Sequence, residues 1–299
     1  MESLQASLLR LIIRIMGFKR RLETSQIDVK LQRQQDIKGL PKTPAGTHLV
    51  QRQSGQTPYS ILSPLGLSQP GLLIWLHGGA YLSGPSQFHY DSLGKLCGLT
   101  GLTGMLVHYP KAPEVTYPTT FAQLLRLYQQ VLLDYPDQPL YFLGDSAGGG
   151  LALAFTLYLK EQQLPLPKQL FLFSPWLDLI LENPGIPALE PKEAMLGVEG
   201  LQALGRLYAG ENADLRHYQL SPLYGNLTGL PPLYLAVSQQ EIFLPDCQKL
   251  RGLAHQAGVD ITYREFPGLF HDWMIFPLPE SNTVLQESAQ WIKNTPQPA

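Results

Sequence analysis

The run Phe142-Leu143-Gly144-Asp145-Ser146-Ala147-Gly148-Gly149-Gly150 constrains the fold more than any other part of the chain. Residues 140–143 are apolar and predict a buried strand, and a helical run begins near Ala147. Between them, Gly144-x-Ser146-x-Gly148 has the spacing of a nucleophile elbow. The reason for that spacing is steric. A strand-to-helix turn this sharp holds the serine in a strained backbone conformation, and only residues without side chains fit two places before and after it. A glycine-rich loop that happens to contain a serine would give the same local pattern, so the rest of the chain must discriminate.

From residue 71 onward, apolar strands alternate with helical stretches. Residues 72–76, 104–108, 140–143, 170–173, 233–237 and 261–266 read as strands, and 88–99, 119–133, 147–161, 245–257 and 280–293 as helices. Strands that are apolar throughout, rather than alternating, predict a parallel sheet covered on both faces. Ahead of them, 47–52 and 58–63 flank Gln53-Ser54-Gly55-Gln56 and read as an antiparallel hairpin. The count is eight strands, with Ser146 just after the fifth.

One stretch breaks the alternation. Residues 179–230 contain helical pieces such as 197–208 and proline-rich turns but no good strand. About fifty residues is too long for an ordinary loop, and a helical cap over the C-terminal edge of the sheet fits best. The expected organisation is therefore an N-terminal cap segment (1–45), an α/β core (46–178 and 231–299) and a cap insertion (179–230). Residues 25–44 read as a polar connection, and 295–299 as a disordered tail.

A net charge of −2 gives no electrostatic case for nucleic acid. Cys97 and Cys247 form no disulfide framework and lack metal-ligand spacing, so they read as buried thiols in a reducing, cytoplasmic setting. In residues 1–22, Leu4, Leu8, Leu11, Ile12, Ile15 and Met16 recur at helical spacing among Arg10, Arg14, Lys19, Arg20 and Arg21. Arginines interrupt the apolar run too early for a membrane span or a signal peptide. A basic amphipathic helix can lie on a membrane surface. The favoured expectation is that its apolar face packs on the protein's own body as a lid. No oligomeric state follows from the sequence.

A nucleophilic serine needs a base, an acid to orient that base, and donors for an oxyanion. His77-Gly78-Gly79-Ala80 directly follows a strand, and a loop with such small side chains can aim backbone N–H groups at developing charge. Gly79, Ala80 and Ala147 are the expected donors; a plain tight turn is the alternative. Of seven histidines, His271 alone lies just past the last strand, giving the order Ser, acid, His. His89 and His255 fall on helices as satisfied or solvated histidines, and His77 holds its own loop. Two carboxylates follow the strand 233–237. Asp246 sits in a helix first turn, where the dipole alone explains it, so Glu241 is preferred. Asp145 and Asp178 read as structural, holding the elbow and the start of the cap. HExxH, paired CxxC, P-loop and GxGxxG patterns are lacking, so no metal or nucleotide cofactor is expected.

Taken together, these residues resemble the hormone-sensitive-lipase-like esterases of the α/β-hydrolase fold. His77-Gly78-Gly79-Ala80 is similar to that family's HGGG motif, and Gly144-Asp145-Ser146-Ala147-Gly148-Gly149 to its GDSAGG motif. Tyr109-Pro110-Lys111-Ala112-Pro113-Glu114 resembles its YRLAPE segment, and Ser174-Pro175-Trp176-Leu177-Asp178 its SPW-x-D segment. The resemblance implies a cofactor-free Ser–acid–His carboxylic ester hydrolase acting on short- to medium-chain acyl esters beneath a helical cap that includes the N-terminal segment. Three departures stand out: Ala80 replaces the third glycine, Glu241 stands where aspartate is usual, and Pro110 and Lys111 alter the arginine-bearing segment. An amidase or deacetylase using the same residues, or a non-catalytic binding module on this scaffold, are the other readings.

Overall fold

The hairpin comes first. β1 (Thr47–Ser54) and β2 (Thr57–Pro64) pair antiparallel, with Ser54 opposite Thr57. After it come β3 (Leu72–Leu76), β4 (Thr103–Val107), β5 (Leu140–Asp145), β6 (Gln169–Phe173), β7 (Leu233–Ser238) and β8 (Ile261–Phe266). They form one eight-stranded sheet in the order β1-β2-β4-β3-β5-β6-β7-β8. β2 is antiparallel to β1 and β4, and every other pair is parallel. The eight-stranded, mostly parallel α/β sheet expected from the sequence is the observed fold. The computed structural model describes residues 2–66 and 68–294, so the tail expected at 295–299 lies outside the described residues.

The helices are α1 (Leu4–Met16), α2 (Val29–Gln32), α3 (Gln87–Thr100), α4 (Tyr117–Asp134), α5 (Ser146–Glu161), α6 (Ile186–Leu189), α7 (Val198–Ala209), α8 (Leu244–Gln256) and α9 (Pro279–Asn294). Successive strand residues point to opposite faces, and each face has its own apolar core. Leu73, Trp75, Tyr141, Leu143 and Phe171 pack with α3 and α9. Ile74, Leu76, Phe142 and Leu172 pack with α4, α5 and α8. Burial on both faces is why these strands carry no polar alternation.

The turn from β5 into α5 bears out the steric argument. Ser146 has φ +50°, in the left-handed region that non-glycine residues rarely enter. A Cβ on Gly144 would press on the backbone of Gly148, and one on Gly148 on the carbonyls of Leu76 and His77. The backbones of β3, the turn and α5 are in contact, with no space between them for a side chain.

Residues 179–230 hold α6, α7 and a single helical turn at Pro222–Tyr224, with no strand among the described residues. Asp178, at the start of this segment, accepts bonds from Ile180 N–H (2.9 Å) and the Tyr224 hydroxyl (3.0 Å). The N-terminal segment meets residues 179–230 through Leu22, whose backbone lies close against Gly197 and Gly200. One expectation fails here. Leu4, Leu8, Leu11, Ile12, Ile15 and Met16 are exposed rather than packed on the body. Ala6 and Ile13 of α1 are buried in an apolar cluster with Leu9 packed against it, and polar tethers add to this: Ser3 donates to Glu280, and Arg10 to Gln240 and the Gly268 carbonyl. The opposite face of α1 finds no apolar partner on this surface.

The stretch 25–44 is more than a connection. Arg33 donates to both Glu114 carboxylate oxygens (2.7 and 2.6 Å) and to the carbonyls of Leu82 and Ala112. These bonds tie it to the loops after β3 and β4.

Replacing Gly148 by alanine forces its Cβ against carbonyls that belong to β3 and cannot move alone. Gly148→Ala should lose about 1–3 kcal/mol of stability, read as a lower urea midpoint; an unchanged midpoint would contradict this packing.

Candidate active site

Strand register assembles the site. Leu76 of β3 pairs with Gly144 of β5, which sets His77-Gly78-Gly79-Ala80 beside Ser146. Asp145 pairs with Phe173 of β6, and Phe173 with Ala236 of β7, which brings Ser174 and the loop carrying Glu241 alongside. Ser238 pairs with Phe266 of β8, so the loop carrying His271 leaves the same edge. This is the carboxyl edge, where open α/β sheets bind ligands.

Ser146, His271 and Glu241 come together there. The Ser146 Oγ lies 2.8 Å from His271 Nε2, and His271 Nδ1 lies 2.7 Å from Glu241 Oε2. With Nδ1–H donating to the carboxylate, Nε2 is left to accept the serine proton. Glu241 is itself held: its Oε1 accepts from Ser174 Oγ (2.8 Å) and from Ser238 N–H (2.5 Å). Asp246 is placed differently, its Oδ1 accepting from Asn183 Nδ2 at 2.8 Å, and burial raises its carboxyl to about 6.

Negative charge surrounds the imidazole. Burial would lower the pKa of His271; Asp272, then the hydrogen bond and charge of Glu241, and then Glu193 outweigh it and raise the pKa to about 9. Asp272 Oδ2 lies 3.4 Å from His271 Nε2, and desolvation pushes this carboxyl upward while the imidazolium pulls it down.

The donor loop is braced from below. Asp145 Oδ1 accepts from Trp75 Nε1 (2.7 Å), and Oδ2 from Gly78 N–H (2.9 Å) and His89 Nε2 (3.1 Å). The Gly78 amide is thus consumed. Gly79 and Ala80 adopt φ +115° and +52°, and their N–H groups have no acceptor among the described residues. Ala147 sits in the first turn of α5, where N–H groups have no intrahelical partner. His77 holds its loop as expected, with Nδ1 donating to the Gly78 carbonyl (2.6 Å) and its ring stacked on Tyr109.

A family model described as the alpha/beta hydrolase fold matches residues 73–275. The chain belongs to this family. An acetyl-hydrolase of Streptomyces hygroscopicus is 32% identical over 74% of this chain and 75% of its own. An esterase of Acinetobacter venetianus is 32% identical over 74% of each chain. The crystal structure of an esterase from the bacterial hormone-sensitive lipase family superposes with TM-score 0.87 at 25% identity, covering 98% of both chains. The resemblance read from the motifs therefore holds, and the chain is a carboxylesterase-type hydrolase.

The site of this hydrolase opens into a cavity of about 170 Å³ lined by Gly79, Ala80, Ser146 and His271 at its base. Leu196, Leu201 and Leu204 of the cap segment and α7 supply apolar wall, and Phe18, Arg21 and Leu22 bring the N-terminal segment to it. Three residues around the site escaped sequence reasoning. Ser174 lies in the SPW-like segment, yet its bond to Glu241 depends on the β5–β6–β7 register. Asp272 adjoins His271 in sequence, and its left-handed backbone (φ +56°) aims it at Nε2. Glu193 has no local signal at all. Its Oε1 accepts from Ala194 and Met195 N–H (2.8 Å each) and its Oε2 from Ile242 N–H (3.2 Å), which joins the cap to the residue after Glu241.

Because Asp272 is the largest influence raising His271, Asp272→Asn should move the imidazole titration downward from about 9 toward the ordinary histidine value. NMR titration of the His271 ring checks this; an upward or absent shift would contradict the charge arrangement.

Proposed function

We propose that this hydrolase is a serine esterase that cleaves short- to medium-chain acyl esters through an acyl-enzyme. The observation that carries the reading is the unbroken hydrogen-bond line from Ser146 through His271 to Glu241 beside unpartnered amides at the cavity base. Ser146 Oγ attacks the acyl carbon while His271 Nε2 takes its proton, and Glu241 holds the ring and stabilises the imidazolium. The amides of Gly79, Ala80 and Ala147 donate to the oxyanion of the tetrahedral intermediate. The intermediate collapses, the imidazolium protonates the departing alkoxide, and the acyl group remains on Ser146. Water then attacks the acyl-enzyme with His271 again as base, releasing the acid and restoring the serine.

The carboxylates around His271 favour the charged ring that the transition state creates. The same charges make the resting ring hold its proton to higher pH, so activity falls as pH drops through the His271 titration. A small cavity of about 170 Å³ with apolar wall from Leu196, Leu201 and Leu204 supports the chain-length reading. The acetyl-hydrolase name of one relative agrees with small acyl groups.

Hydrolysis of p-nitrophenyl acetate and butyrate should be fast and that of the palmitate slow. Ser146→Ala should lower kcat at least about a thousandfold without unfolding the protein. Glu241→Ala should cost far more kcat than Asp246→Ala. Activity surviving in Ser146→Ala would sink the mechanism, and faster turnover of anilides than esters would favour an amidase instead.

A further inference from the structure

The face of α1 that the body leaves uncovered is the largest unexplained apolar feature of the molecule. Leu4, Leu8, Leu11 and Ile15 form one stripe at helical spacing, 90%, 60%, 54% and 76% exposed. Ile12 and Met16, 42% and 53% exposed, widen it. These six are half of the large apolar side chains exposed among the described residues. Scattered exposed leucines need no explanation, but a continuous stripe of them does.

The helix is also held rigidly in this orientation. Ser3 caps its start through Ala6 N–H and donates to Glu280, Arg10 reaches Gln240 and the Gly268 carbonyl, and Arg14 donates to the Lys192 carbonyl (2.9 Å). Ala6, Leu9 and Ile13 face the protein together with Ser3 and Arg10, and the Leu4–Leu8–Leu11–Ile15 stripe points away from it.

Charge selects what covers the stripe. Residues 1–22 carry five basic side chains and one acidic one, a net +4 on a chain whose total is −2, so the remainder carries −6. Lys19, Arg20 and Arg21 follow Gly17 and Phe18 after α1: Lys19 donates to the Glu190 carbonyl and pairs with Glu23, Arg21 lies over the Phe18 ring, and Arg20 is exposed. A second copy meeting the same face would oppose like charges. An apolar stripe flanked by basic residues fits a surface that is apolar within and anionic at its head groups.

We propose that α1 docks the protein on an anionic lipid surface, with the Leu4–Leu8–Leu11–Ile15 stripe in the acyl boundary and the exposed Arg20 at the head groups. No helix among the described residues is long and apolar enough to cross a membrane, so the contact is interfacial. Phe18 and Arg21 also line the cavity, so docking through α1 brings the mouth of the site close to the lipid. That consequence rests on the esterase reading; the docking itself does not.

The test is flotation of the full chain with vesicles of phosphatidylcholine alone or mixed with phosphatidylserine. The protein should float with the mixed vesicles and much less with the neutral ones. Raising salt from about 0.15 M to about 1 M, which shortens the screening length from roughly 8 Å to roughly 3 Å, should weaken binding. Arg20→Gln should lower partitioning about fivefold. The double variant Leu11→Asp/Ile15→Asp should lower it at least about tenfold, while hydrolysis of soluble p-nitrophenyl butyrate stays unchanged because neither residue lines the cavity. Wild-type protein that stays down with anionic vesicles overturns the proposal, as does a double variant that floats equally well. A wild-type dimer that the double variant dissociates, without flotation, overturns it in favour of a second copy. Flotation of a protein that hydrolyses no ester would leave the docking intact and defeat the esterase reading.

Discussion

The close contact of three backbones at Ser146 is the constraint on which the rest depends. β3, the serine turn and α5 approach so nearly that Gly144 and Gly148 have no room for a side chain, and Ser146 is held at positive φ. Strain of this kind persists only where the surroundings over-determine it. Here the determinants are the β3–β5 pairing, the α5 core, and the bond from Trp176 N–H to the Ser146 carbonyl (2.8 Å). The outcome is a hydroxyl raised at the sheet edge, with the first amides of a helix beneath it.

Around that serine the molecule buries several carboxylates, and three of them are supplied with donors at both oxygens. Asp145 takes bonds from an indole, an amide and an imidazole; Glu241 from a hydroxyl, an amide and an imidazole; Glu193 from backbone amides. A buried charge without such partners would cost several kcal/mol. With them, each carboxylate ties together segments far apart in sequence. Asp145 braces the loop after β3 against α3, and Glu193 fastens the segment between α6 and α7 to the loop after β7. The geometry at His271 is therefore set by surrounding buried groups, and the charges of Asp272, Glu241 and Glu193 raise its pKa.

Much of this was legible beforehand because it is local. The strain at Ser146 demands glycine at fixed offsets, so the elbow is written in five consecutive residues. Strands buried on both faces are apolar throughout, so their number and the parallel class were readable, and His271 stood out by its position after the last strand. Ser174, Glu193 and Asp272 were not readable as site neighbours. Nothing in the composition around Glu193 marks it, since its partners are backbone amides that any residue could supply. The spacing of α1 was equally plain, yet it left open which way the helix faces, because both sides of α1 carry apolar residues.

What the residues alone determined was the sheet, the elbow and the candidates for each chemical role, since these follow from sterics and periodicity within short windows. Only the tertiary structure decided which carboxylate meets His271, because Glu241 and Asp246 lie five positions apart and differ in the partners that the folded chain brings to them. It also decided the orientation of α1. Hydrogen bonds from Ser3 and Arg10 to groups more than two hundred residues away turn the leucine stripe outward, and no local pattern encodes bonds across that distance.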